Sequence, residues 1–130
     1  MYLDLLIKIR ELLKLSEIYL SHAPKDQKYV SVKRIKELTW DLYIDVVKAS
    51  KKYYKKSILY DIDCTHETLR CAWQLYFELG FLNFKDGKHN NDSNYGLHRF
   101  EVINRFIDEI GKMIGAWINK INLQDNKNNI

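Results

Sequence analysis

Apolar residues recur along this chain at alternating steps of three and four, the spacing that keeps one side of an α-helix against a core. Tyr2, Leu5, Ile9, Leu12, Ser16, Tyr19 and Ala23 define a first helix over 2–23. Pro24 ends it, because a proline ring carries no N–H and clashes with the preceding turn. A polar link, PKDQKY, leads to Ser31, an expected N-cap for a second helix whose stripe is Ile35, Leu38, Leu42, Val46, Ala49 and Tyr53 and which runs to about Ser57. Asp61, Asp63 and Thr65 offer caps for a third helix with Leu69, Ala72, Trp73, Tyr76 and Leu79 on one face, fading after Leu82. The fourth is the clearest: Phe100, Ile103, Ile107, Ile110, Ile114, Trp117 and Ile121 keep the period without a break.

Between the last two helices, residues 85–96 (KDGKHNNDSNYG) are polar, aperiodic and rich in Gly and Asn, which predicts a mobile loop. Four helices of this length joined by such links bury their stripes by packing antiparallel. The predicted fold is therefore all-α, an up-down-up-down four-helix bundle over 1–122 followed by a frayed tail at 123–130. There is no strand pattern, internal repeat or second domain.

Composition sharpens this picture only slightly. A chain of 130 residues, 46% hydrophobic with one Pro, can bury a core without a cofactor or covalent staple. No stretch approaches the ~18 uncharged apolar residues of a membrane span. Cys64 and Cys71 are seven residues apart, about 10 Å along one helix and too far for a disulfide. Free thiols and an amphipathic, acid-bearing N-terminus without a signal-peptide pattern fit a cytoplasmic location.

Charge matters through its distribution. The net charge is only +4, yet Lys48, Lys51, Lys52, Lys55 and Lys56 fall within nine residues, and no acid occurs from Lys48 to Tyr60. On a continuous second helix, Lys48, Lys51 and Lys55 lie within about 60° of one another, opposite the core stripe. Tyr53 and Tyr54 interleave them, so the run could hold phosphates while an aromatic ring stacks on a base. The competing account is an ordinary solvated helix face. Lys33, Arg34, Arg70, Arg105 and Lys112 form a second rank of candidate cations, because Glu37, Glu67 and Asp108 lie beside them in sequence.

The outward side of the second helix also carries Trp40, Ile44 and Val47, and an apolar patch with a large aromatic predicts a subunit interface. The third helix has a comparable second side in Cys64, Cys71, Leu75 and Leu82. Two two-sided helices favour an oligomer over the alternative, a bundle whose helices simply have wide apolar faces.

Catalytic patterns are missing. His22, His66, His89 and His98 lack the spacing that places two metal ligands on one helical face, there is no C-x-x-C pair, and no Gly-rich loop could cradle phosphate. Neither metal nor cofactor is implied. Asp61 and Asp63 read as helix-start residues rather than cation ligands. Gly111 and Gly115 form a G-x-x-x-G step that lets a neighbouring helix come close.

With these residues laid out, EIGKMIGAWINKIN (Glu109–Asn122) resembles the closing signature of the accessory variability determinant (Avd) proteins of diversity-generating retroelements. The link SHAPKDQKYV, the opening SVKRIKELTWDLYIDVVKAS and the segment LRCAWQLYFELGFL follow the same order of elements. The resemblance implies a four-helix bundle assembled as a homopentamer with a basic surface and no enzymatic activity. It further implies partners: the retroelement's reverse transcriptase and its template RNA or cDNA, in the adenine-mutagenised copying that diversifies a target gene. Only the seam residues of the fourth helix map cleanly onto the family, and the loop at 85–96 is longer than the family's pattern. Proteins encoded in intervening sequences of large-subunit rRNA genes share the bundle and are the alternative within the fold. A structural oligomerisation module without a nucleic-acid role is the alternative outside it.

Overall fold

The computed structural model describes residues 2–87 and 94–128. Among these, four α-helices follow one another: α1 (Tyr2–Leu20), α2 (Ser31–Lys51), α3 (Lys56–Glu78) and α4 (Asn94–Asn128), with a short 3-10 turn at Lys25–Gln27. Each helix packs on the next in chain order and α4 closes on α1. The register is antiparallel throughout: Arg10 meets Tyr43 and Glu17 meets Lys36 across α1 and α2, while Arg70 meets Asp108 and Phe77 stacks on Phe100 across α3 and α4. The up-down-up-down bundle expected from the periodicity is the one observed.

The core is the set of stripes read from the sequence, with corrections at the helix ends. Leu5, Ile9, Leu12, Ile35, Leu42, Val46, Leu69, Trp73, Ile103, Ile107, Ile110 and Ile114 are buried. Burying a Leu, Ile or Val side chain contributes about 1.5–3 kcal/mol, so these stripes supply the main driving force. Tyr76 is buried with them, and burial raises its phenol to about 12. Its hydroxyl and the Trp73 Nε1 have no hydrogen-bond partner among the described residues.

The boundary between α2 and α3 departs most from expectation. A second helix reaching Ser57 is replaced by a break at Lys52, whose backbone turns extended (φ −79°, ψ 140°), and α3 starts at Lys56. No Gly or Pro marks the place. Lys55 folds its ammonium back onto the end of α2, donating to the carbonyls of Ala49 (2.7 Å) and Lys52 (2.6 Å), the favourable position for a cation at a helix C-terminus. The break also separates five like charges that an unbroken helix would stack at adjacent i,i+3 and i,i+4 positions. Tyr53 consequently leaves the core stripe and is exposed, while Asp61, Asp63 and Thr65 lie inside α3 rather than at its cap. The earlier start brings Leu59, Ile62 and His66 into the core.

Other ends differ by less. α1 stops at Leu20, where the amides of His22 and Ala23 take i→i+3 bonds ahead of Pro24. Ser31 is the first residue of α2, not its cap, and its hydroxyl donates to Gln27 Oε1 (2.6 Å). α3 ends at Glu78 in a Schellman turn: Gly80 takes φ +86°, its amide reaches Phe77 O, and the Phe81 amide reaches Tyr76 O. Leu79 is exposed beyond that end, whereas Leu82 turns inward and is buried, so it does not belong to an outer side of α3. α4 begins at Asn94, ahead of the expected start, so His98 lies within it. It continues to Asn128, through the segment 123–128 expected to fray. The centre of the predicted loop, 88–93 with His89, lies outside the described residues.

Candidate nucleic-acid interface

The α2–α3 break divides the lysine run between two elements. Lys48 and Lys51 lie on the last turn of α2, Lys52 follows it, and Lys56 opens α3; all four are exposed and none forms an ion pair among the described residues. Lys55 is the exception and corrects the expectation that it points away from the core. Its ammonium is anchored to the carbonyls of Ala49 and Lys52, so it helps shape the turn instead of remaining a free cation.

Tyr53 and Tyr54 stand out of this turn at 88% and 85% exposure, edge to face with centroids 4.9 Å apart. Together with Lys55, Lys56 and the α4 residues Ile121, Gln124 and Asp125 they line a cleft of about 480 Å³. That volume is within the range of small-ligand sites. The last turns of α4 supply its third wall. Sequence reasoning missed this wall because Leu123–Asn128 carries no apolar period, although Ile121 already pointed toward it.

Two of the five second-rank cations are engaged. Arg70 binds Asp108 (2.6 Å) and Glu67 (3.4 Å), and Lys33 lies 3.8 Å from Glu37, as the adjacent acids suggested. Arg34, Arg105 and Lys112 are exposed without an ion pair among the described residues; Arg34 sits on α2, whereas Arg105 and Lys112 both sit on α4, seven residues apart. Arg34 borders an apolar groove with Leu75 and Leu79, and Lys112 borders a shallow polar one with Asp63 and Arg70.

The apolar flank is real. Trp40 is 52% exposed, Ile44 and Val47 are exposed with it, and Trp40 meets the Tyr43 ring edge-on. The α1–α2 register carries Leu3 and Ile7, both exposed, to the level of Val47 and Ser50, so the flank spans two helices. The sequence reading missed Leu3 and Ile7 because it followed only the inward stripe of α1.

Cys64 and Cys71 are free and exposed on α3. His66 is a core residue: its Nε2 shares a 2.7 Å hydrogen bond with Ile107 O, and its ring covers Gly111, where a Cβ would lie 2.7 Å from Cε1. The close approach expected at Gly111 is therefore present, whereas a Cβ at Gly115 would meet nothing within 4 Å. Among the described residues no helix is long and apolar enough to cross a membrane, and no group of three His, Cys, Asp or Glu side chains could hold a metal ion.

Fold and surface together define a class, a four-helix-bundle protein with a basic, aromatic end and an exposed apolar flank. The family described as bAvd-like matches residues 5–121, and the chain belongs to that family. No curated protein and no solved structure matches it.

Proposed function

We propose that this chain is a non-enzymatic accessory protein of a diversity-generating retroelement, binding the element's reverse transcriptase and its template RNA or cDNA as a homo-oligomer. Membership of the bAvd-like family supports the setting. The observation that carries the binding role is the exposed set Lys48, Lys51, Lys52 and Lys56, without acid partners among the described residues, around two exposed tyrosines at one end of the bundle. Such a surface attracts phosphate without reading sequence, and symmetric assembly would repeat it, making each further engagement effectively intramolecular. The flank of Leu3, Ile7, Trp40, Ile44 and Val47 supplies the surface for assembly, with a pentamer expected from the family.

The test is reverse transcription of template RNA by the polymerase encoded beside this gene, with and without the protein. Adenine-mutagenised cDNA should depend on its presence, and equal yield and mutation spectrum in its absence would refute the role. Trp40→Glu should convert the oligomer to smaller species in light scattering while leaving helicity intact. A stable 15.6 kDa particle for the parent at micromolar concentration would refute assembly.

A further inference from the structure

We propose that the cleft between the α2–α3 turn and the end of α4 holds one unpaired nucleobase of a single strand, favouring bases that carry an exocyclic amine. The inference rests on the nucleic-acid reading of this end and goes further by naming what enters. A basic surface alone would serve any phosphate backbone, duplex or single. This cleft has two further properties that a duplex cannot use.

The first is aromatic. Tyr53 and Tyr54 are held by a short turn whose shape is fixed by the Lys55 hydrogen bonds to Ala49 O and Lys52 O, and their rings are almost wholly open. In the edge-to-face pair, one ring presents its face away from its neighbour. A base already stacked within a helix has no free face to offer, whereas an unpaired base stacks on such a ring whatever its identity. Lys56 in the wall of the cleft supplies a cation for the phosphate of the same strand, and Lys52 precedes Tyr53 in the turn.

The second property is the opposite wall. Gln124 brings a donor and an acceptor, and Asp125 brings only acceptors. A carboxylate facing a base edge accepts from the exocyclic amine of cytosine or adenine, or from the N1–H and amine of guanine. Uracil offers a single N–H between two carbonyl oxygens, which a carboxylate repels. An acid in a cleft otherwise built for anions is unfavourable for phosphate and favourable for a base amine, so backbone and base take different parts of the site.

The experiment measures fluorescence anisotropy with labelled oligo(rC), oligo(rU) and an RNA duplex of equal length, at about 0.1 M salt so that distant charges are screened. The parent should bind oligo(rC) more tightly than oligo(rU). Tyr53→Ala/Tyr54→Ala should weaken oligo(rC) by about tenfold or more and leave the duplex within about twofold, while Tyr53→Phe/Tyr54→Phe retains binding. Asp125→Asn should abolish the preference for oligo(rC) over oligo(rU). Circular dichroism of each variant should match the parent, since these side chains lie outside the core. Equal losses for single strand and duplex, no loss on removing both rings, or an oligo(rC) preference that survives Asp125→Asn would each overturn the proposal while leaving a general basic surface standing. A parent that binds none of the three probes would refute the nucleic-acid function as well.

Discussion

The two ends of this bundle use the same chemistry, a cation beside aromatic rings, to opposite effect. At the end where α1 passes to α2 and α3 to α4, Arg99 is only 3% exposed. Its guanidinium lies 3.6 Å from the centroid of Phe84 and donates to Leu82 O, Phe84 O and Asp86 Oδ2, and Phe84 stacks flat on His22 at 4.1 Å. The Arg99 guanidinium is satisfied by internal acceptors, and the Phe84 ring is packed against both it and His22. At the other end, Lys48, Lys51, Lys52 and Lys56 have no acid among the described residues and the rings of Tyr53 and Tyr54 face solvent. A cation and ring satisfied inside the protein add stability; left open, they add little to the fold and are free for a ligand.

Arg99→Ala should give the largest effect and would sharpen this contrast most. It removes the donor to the Leu82 and Phe84 carbonyls, and an unsatisfied buried polar group costs about 1–3 kcal/mol, so a total loss of about 3 kcal/mol is expected in urea unfolding. A loss below about 1 kcal/mol would mean that the closed end is not a structural clamp.

Tyr76 tests the same end by pH. Its phenol is raised from 10.0 to about 12 by burial, so between those values the unfolded chain releases a proton that the folded one keeps. The stabilisation is complete below pH 10 and should fall by about 1.4 kcal/mol per pH unit up to about 12. Tyr76→Phe should remove that extra slope, and because its hydroxyl has no partner among the described residues, it should leave stability at pH 7 unchanged or slightly higher. Two identical slopes would contradict the burial of the hydroxyl.

Smaller effects are expected along α4. Gly111→Ala drives a methyl into His66, which its bond to Ile107 O holds in place, and should lose about 1–2 kcal/mol despite alanine's better helix propensity. Gly115→Ala, one turn nearer the open end, has room and should gain up to about 1 kcal/mol. Equal thermal shifts for the two would contradict the packing described.

Much of the closed architecture was legible in the sequence because burial imposes periodicity. The α4 seam from Phe100 to Ile121 and the stripe of α2 as far as Ala49 could be read directly. The three-four step from Leu69 back through His66, Ile62 and Leu59 also held the true start of α3, but the acids at Asp61 and Asp63 looked like caps and hid it. The open end was legible only as composition. No Gly or Pro marks the break at Lys52; it depends on a lysine reaching back to carbonyls three and six residues earlier. The helical continuation that places Gln124 and Asp125 beside Tyr53 leaves no apolar signature. Surfaces that bind rather than pack are free of the periodic constraint, so a sequence gives their ingredients without their arrangement.

The most direct test of the open end is the salt dependence of single-stranded RNA binding by the parent and by Lys48→Glu/Lys51→Glu/Lys52→Glu. Exposed substitutions of this kind change stability by no more than about 0.5 kcal/mol each, so folding and assembly should be unaffected. The account predicts much weaker binding for the variant and a log–log salt slope shallower by roughly two, since each lost phosphate contact removes about 0.7 from the slope on a single strand. The same affinity and the same slope in both proteins would contradict it.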